Sequence, residues 1–355
     1  MKTTHIAIPI VLLTIIFVTF GTVQATQFFP SANYNKTYKI NSNIAWKEWN
    51  PVSNILVAAD GGSLIEYSGN GTKLGTLYEN KNFSISNIRF NHDGTKLAFL
   101  NDYTTSGGPL DIYVLDLKNN QLSQLTHGAH VQGLAWTPDG NMIYADENVN
   151  NWWHFKILKL ELKNNSTSVI LDQMTAFGGL DISPDGKKLV FSQITTCNQK
   201  QYSGCTYGLF IYDLESGNKT PTALTIGLTP QDPRWSYDGS FITYSYINEF
   251  CGPIKAITPD GNITANLIWY NVTSNTQSCN GLAVMNRDGT IIAYDSDLGL
   301  SSGGMFFTYT NRCAINSCQF TIPEFPFSIP VLLLGITSLI IFYKIKLVFS
   351  PVFRS

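Results

Sequence analysis

A short phrase recurs six times along this chain, once in degraded form. It reads FNHDGTKLAFL from Phe90, WTPDGNMIYAD from Trp136, ISPDGKKLVFS from Ile182, WSYDGSFITYS from Trp235 and MNRDGTIIAYD from Met285. A weaker copy, WNPVSNILVAA, begins at Trp49, with Ser53 in the glycine slot. The turn glycines Gly94, Gly140, Gly186, Gly239 and Gly289 lie 46, 46, 53 and 50 residues apart. A period of roughly 40 to 50 residues with four strands per repeat is the pattern of a β-propeller blade.

Each phrase reads as strand, turn, strand. Asp accepts hydrogen bonds from turn N–H groups, and Gly takes φ > 0 at no Cβ cost. Apolar residues alternate after the turn, as in Leu97 and Phe99 or Leu189 and Phe191, which is the strand period. A third strand follows in DIYVLDL (111–117), FKILKLEL (155–162) and GLFIYDL (208–214), and a polar turn leads to a fourth, as in QLSQLT (121–126). The expected fold is all-β, a six-bladed β-propeller closed into a ring, which has no long free sheet edge. Either a strand near Lys36–Lys39 or one at Gln319–Ile322 would close the last blade.

The runs FNHDGTKLAFLND, DIYVLDLKNNQLSQLTHG, ISPDGKKLVFSQ and LFIYDLESG resemble the WD-repeat-like blades of TolB-type propellers. That resemblance implies the fold and no activity, because such blades serve unrelated partners.

Both ends of the chain bear on location. Met1 and Lys2 precede an apolar run from Ile6 to Phe20, and Val23-Gln24-Ala25 offers a cleavage site. Residues 1–25 therefore read as a signal peptide, with an uncleaved anchor as the alternative. Residues 26–322 form the ectodomain and 323–326 a short linker. Phe327 to Tyr343 is apolar; its length at ~1.5 Å per residue gives ~26 Å, enough for one C-terminal transmembrane helix. The tail 344–355 carries Lys344, Lys346 and Arg354, which predicts a cytoplasmic C-terminus and an extracytoplasmic, membrane-anchored propeller. Ile322-Pro323-Glu324-Phe325-Pro326 resembles the PEF-type sorting and anchoring segments of archaeal surface proteins, which implies that the tail is a processing signal.

Charged residues make up 14% of the chain, below the ~25% of average soluble proteins. A net charge of −2 gives no basic footprint for nucleic acid. Six cysteines all follow residue 196, an even count that suggests disulfides in an oxidising compartment. Proximity favours Cys197–Cys205 and Cys313–Cys318, leaving Cys251 with Cys279; metal binding competes, but no Cys-x-x-Cys spacing occurs. Glycosylation sequons stand at Asn35, Asn70, Asn82, Asn164, Asn165, Asn218, Asn262 and Asn271. Asn70, Asn164 or Asn165, Asn218 and Asn262 fall on turns between third and fourth strands, so one face would carry the glycans.

The opposite face has the longer loops, with Tyr103, Trp152, Trp153, Tyr202 and Phe250 among them. Exposed aromatics on braced loops suit capture of a protein or glycan partner at the cell surface; the alternative is that the two tryptophans cap a gap between blades. His127 and His130, with His154 on the next loop and Asp146 and Glu147 nearby, could hold a transition metal or simply be solvated. Asn87, Asp232 and Asn280 are the inner-strand candidates for lining the channel. They are too few in charge to suit calcium, which wants six to eight oxygens. No Gly-x-Ser-x-Gly elbow, phosphate loop or His-Glu-x-x-His occurs. The sequence therefore points to a non-catalytic binding scaffold without a cofactor. A calcium-dependent channel-site hydrolase or lyase is the alternative, and a structural envelope component is a third.

Overall fold

The Asp-Gly turns fold by local hydrogen bonding. Asp93 Oδ1 accepts the Thr95 N–H at 2.9 Å, Asp185 Oδ1 the Lys187 N–H at 3.1 Å and Asp288 Oδ1 the Thr290 N–H at 3.1 Å. The five turn glycines have φ between 69° and 83°. Gly94 needs its bare Cα for a second reason: a Cβ there would stand 2.6 Å from Asn50 Oδ1 of the neighbouring turn. The degraded first copy solves the turn differently. Its left-handed residue is Asn54 (φ 57°), not Ser53 in the expected slot, because Asn tolerates that region better than Ser. Asn50 Oδ1 replaces the aspartate there, accepting the N–H groups of Val52 and Ser53 at 2.9 and 3.1 Å.

The computed structural model describes residues 32–40, 46–102, 110–147, 155–174, 176–198, 203–216, 222–227, 229–247, 253–268, 280–296 and 304–310, all within the unit Met1–Ala314. The signal peptide, linker, transmembrane segment and tail expected from the sequence lie outside the described residues.

The first strand, β1 (Ala32–Ile40), stands apart in sequence from its sheet. Five four-stranded sheets then follow in chain order. They are β2 (Lys47–Trp49), β3 (Leu56–Asp60), β4 (Ser63–Tyr67) and β5 (Lys73–Glu79); then β6 (Ile85–Phe90), β7 (Lys96–Asp102), β8 (Leu110–Asp116) and β9 (Gln121–Gln124). Next come β10 (Val131–Trp136), β11 (Met142–Glu147), β12 (Phe155–Glu161) and β13 (Ser166–Met174), and β14 (Ala176–Ile182), β15 (Lys188–Asn198), β16 (Ser203–Asp213) and β17 (Thr222–Gly227). The fifth is β18 (Thr229–Trp235), β19 (Ile242–Ile247), β20 (Ile254–Ile257) and β21 (Thr264–Ile268). The sixth sheet has the order β1-β24-β23-β22, with β22 (Asn280–Met285), β23 (Ile291–Ser296) and β24 (Gly304–Thr310). All neighbours are antiparallel, and Lys39 and Ile40 pair with Phe306 and Met305. The N-terminal strand therefore completes the last sheet.

The leading strands abut one another in a circuit: β2 with β6, β6 with β10, β10 with β14, β14 with β18, β18 with β22 and β22 with β2. This is an all-β propeller. Antiparallel order puts the turns after the first and third strands of every sheet on one face. Asn70, Asn164, Asn165 and Asn262 are exposed on third-turn positions of that face. Thr310 ends β24 there too, its N–H donating to Thr290 O at 2.7 Å.

One loop read from sequence is mostly strand. The segment Thr195–Tyr207 continues the β15–β16 hairpin, which runs to Asn198 and restarts at Ser203. Threonine hydroxyls hold it: Thr195 Oγ1 lies 2.8 Å from Thr206 Oγ1, and Thr196 Oγ1 2.5 Å from the same atom. Cys197 and Cys205 stand on opposite arms of this hairpin, flanked by the paired residues Thr196↔Thr206 and Asn198↔Ser203. The other four cysteines lie outside the described residues.

The apolar residues pack between sheets. At the seam of first and last sheets, Trp49 is fully buried, donates its indole N–H to Val284 O at 3.2 Å and meets the Phe307 ring edge-on at 6.1 Å. Asn286 Nδ2 donates to Asn54 Oδ1 across the same seam at 2.8 Å. Trp49→Ala should therefore cost about 3–5 kcal/mol, read from the shift of the urea midpoint. A loss below about 1 kcal/mol would place the stability of the closure elsewhere.

Candidate functional site

Five residues before each turn glycine, the leading strands present Glu48, Arg89, Ala135, Asp181, Arg234 and Val284. Four of the six are charged, and in ring order the signs run negative, positive, neutral, then negative, positive, neutral. These charges meet around the channel axis at its turn-face end. Arg234 Nη1 lies 3.5 Å and Arg89 Nη1 3.8 Å from Glu48 Oε2. Asp181 is held by backbone, accepting the Trp235 N–H at 2.8 Å and the Ile182 N–H at 3.0 Å. Arg89 Nη1 also donates to Ile88 O at 2.8 Å.

A cavity of about 200 Å³ opens among these side chains, walled also by Phe90, Trp235, Tyr237 and Met285, with Arg287 and His92 at its rim. Among the described residues, four buried polar atoms of its lining have no hydrogen-bond partner: Glu48 Oε2, Arg89 Nε, Arg234 Nε and Trp235 Nε1. Such orphans are costly unless something occupies the space.

The other end of the channel differs. Two residues farther from the turn, Asn87 (φ 48°), Gly179 (φ 103°), Asp232 (φ 48°) and Leu282 (φ 43°) all take the left-handed region. They line a second cavity of about 360 Å³. Gly179 suits that place because side chains rarely adopt its φ of 103°, and a Cβ would stand 3.3 Å from Asp232 Oδ1. Between the levels, Lys47 is fully buried and its ammonium sits 2.8 Å from Asp295 Oδ1.

Of the channel residues expected from sequence, the structure thus brings Asn87 and Asp232 together at the second cavity, while the side chain of Asn280 lies outside the described residues. Glu48, Arg89, Asp181 and Arg234 were missed. The phrase was read from four residues before the glycine, and the charged column begins one residue earlier. Tyr103, Trp152, Trp153, His154, Tyr202 and Phe250 lie outside the described residues. His127 is exposed beside an outer groove and His130 is half-buried. Buried Asp111 shapes their loop, accepting the N–H groups of Gly128 and Ala129 at 2.9 and 3.0 Å. Among the described residues, no three His, Cys, Asp or Glu side chains cluster as a metal site.

Burial dominates the proton affinities here. It raises the carboxyls of Glu48, Asp181 and Asp232 above the usual range, with the neighbouring arginines opposing it. Asp295 is pushed up to about 6 by burial, against the pull of Lys47, whose own ammonium burial pushes down. Arg89 is lowered to about 9, first by burial and then by Arg234.

Against this geometry, the known proteins most informative are distant. The fold is that of a TolB-like β-propeller. TolB from Acinetobacter baumannii is similar with a TM-score of 0.52 and 16% identity, over 76% of this chain and 64% of that one. A putative TolB from Agrobacterium tumefaciens gives 0.53 and 14%, over 77% and 96%. An oligogalacturonate lyase of Dickeya dadantii is 32% identical over 107 residues, which is 30% of this chain and 26% of the lyase. The chain thus matches about a quarter of that relative's length. No family model matches the chain.

The raised carboxyls set a pH dependence of stability. A folded state that binds more protons than the unfolded chain loses stability as pH rises. For Asp295 the loss falls between the unfolded value near about 4 and the folded value of about 6. The melting temperature should decline across that window, and Asp295→Asn should flatten the decline. An unchanged slope in the variant would show that another group titrates there.

Proposed function

We propose that this protein is a non-catalytic binding propeller of six blades, secreted and held at the cell surface by its C-terminal segment, with its ligand site at the turn-face mouth of the channel. The observation that supports this is the compensated ring Glu48–Arg89–Asp181–Arg234 around a cavity with unpartnered polar atoms. A catalytic site needs a general base free to take a proton, a nucleophile with its base, or an open metal position. Here the carboxylates are committed to guanidinium and backbone partners. Glycans on the exposed turn asparagines and a disulfide between the hairpin arms that carry Cys197 and Cys205 would suit an extracytoplasmic scaffold. The aromatic loops of the other face remain the second candidate for partner capture.

The alternative reading is a metal-dependent lyase of acidic polysaccharide, favoured by the partial match to an oligogalacturonate lyase. Calcium and manganese are the ions to test. Incubating the purified chain with polygalacturonate and either ion distinguishes the two. The binding reading expects no unsaturated sugar product, and capture of ligands on glycan and peptide arrays that drops about tenfold, ~1.4 kcal/mol, in Arg287→Ala. Turnover, or undiminished capture by that variant together with its wild-type melting temperature, would overturn the proposal.

A further inference from the structure

We infer that the turn-face cavity is a receptor for one carboxylate group, held by the Arg89 and Arg234 guanidiniums and the Trp235 indole N–H; this rests on the non-catalytic binding reading above. The argument is an accounting of donors, charge and space.

Donors outnumber acceptors. Of the unpartnered buried atoms around the cavity, Arg89 Nε, Arg234 Nε and Trp235 Nε1 donate, and Glu48 Oε2 alone accepts. Both arginines are more than nine-tenths buried, at 5% and 8% exposure. Glu48 Oε2 is ion-paired with the Nη1 atoms of Arg234 and Arg89 at 3.5 and 3.8 Å but makes no hydrogen bond to either Nε. Both Asp181 carboxylate oxygens receive backbone N–H groups.

Charge gives the same sign. Arg89, Arg234 and Arg287 face Glu48 and Asp181, a formal excess of one positive charge around the cavity. Among the described residues the second cavity has Asp232 as its one charged lining residue, opposite in sign to the excess at the turn face. An anion is therefore drawn to the turn face and repelled from the other. An anion beside Arg89 offsets the burial and the Arg234 repulsion that lower its proton affinity.

The excess also selects among anions. One carboxylate neutralises one positive charge and matches the planar fork of a guanidinium in a bidentate pair. A phosphate dianion would leave a net negative charge beside Glu48 and Asp181. About 200 Å³ admits a single small group, not a folded chain.

The test is calorimetric titration of the full chain with sodium glucuronate, N-acetyl-L-alanine, the methyl ester of each, and inorganic phosphate. Saturable binding of a carboxylate probe, lost in its ester and at least about tenfold weaker for phosphate, is expected. Arg287→Gln, at the exposed rim, should weaken it about tenfold while keeping the wild-type melting temperature. Binding should also fade as pH rises through about 9. Whichever probe binds more tightly identifies a sugar acid or a peptide end as the source. No saturable binding by either carboxylate, or equal binding of phosphate or ester, overturns the inference. Array capture that persists and still depends on Arg287 would then leave the broader binding reading standing. Carboxylate binding accompanied by turnover would do the reverse.

Discussion

Closing a circle of sheets is the constraint from which the rest of this structure follows. Six leading strands come together on one axis, so each must place alternate side chains into a channel shared with five others. Where lining side chains are apolar, as at Val284, nothing further is required. Where they are charged they must compensate one another, since isolated charge in a low-dielectric interior is expensive. Glu48 between Arg89 and Arg234 is that compensation. It is incomplete, and the incompleteness is what makes the cavity chemically interesting.

The closure itself is local chemistry repeated. Aspartate-capped turns place each phrase, and tryptophan indoles tie neighbouring sheets: Trp49 to Val284 O and, at another seam, Trp136 to Arg89 O at 3.1 Å. The latter bond joins packing to function, because it fixes the backbone of the arginine that lines the cavity. Left-handed residues in the leading strands coincide with register shifts against the second strands, as between Ser86 and Arg89 and between Gln231 and Arg234. Leu282 takes that region without the tolerance of Gly or Asn, so the ring imposes the conformation on it.

Much of this was legible in the chain. The spacing of Gly94, Gly140 and Gly186 specified the repeat, and alternation placed the third strands at 111–117 and 155–162 to within a residue of β8 and β12, whereas β16 begins at Ser203, five residues before the expected start at 208. Ambiguity remained where distant segments compete for one position. The outer strand of the last sheet depends on which end of the chain reaches it, and no local pattern encodes that. The hairpin arms around Cys197 and Cys205 were read as loop because Thr, Asn and Gln are polar, although threonine hydroxyls pair well across strands. The channel was half legible: Asn87 and Asp232 were expected at inner-strand positions, and both line the second cavity. The charged column escaped notice because each of its members looks ordinary alone. Only the ring order of Glu48, Arg89, Asp181 and Arg234, which is a property of the closed circle, reveals the alternation.

The central claim is that ring closure leaves buried guanidinium donors unspent at the channel mouth. A high-resolution crystal structure of the purified protein tests it most directly. The account predicts Glu48 shared by Arg89 and Arg234, with ordered solvent or an anion at their Nε atoms. Guanidiniums fully paired within the protein around a dry, collapsed channel would contradict it.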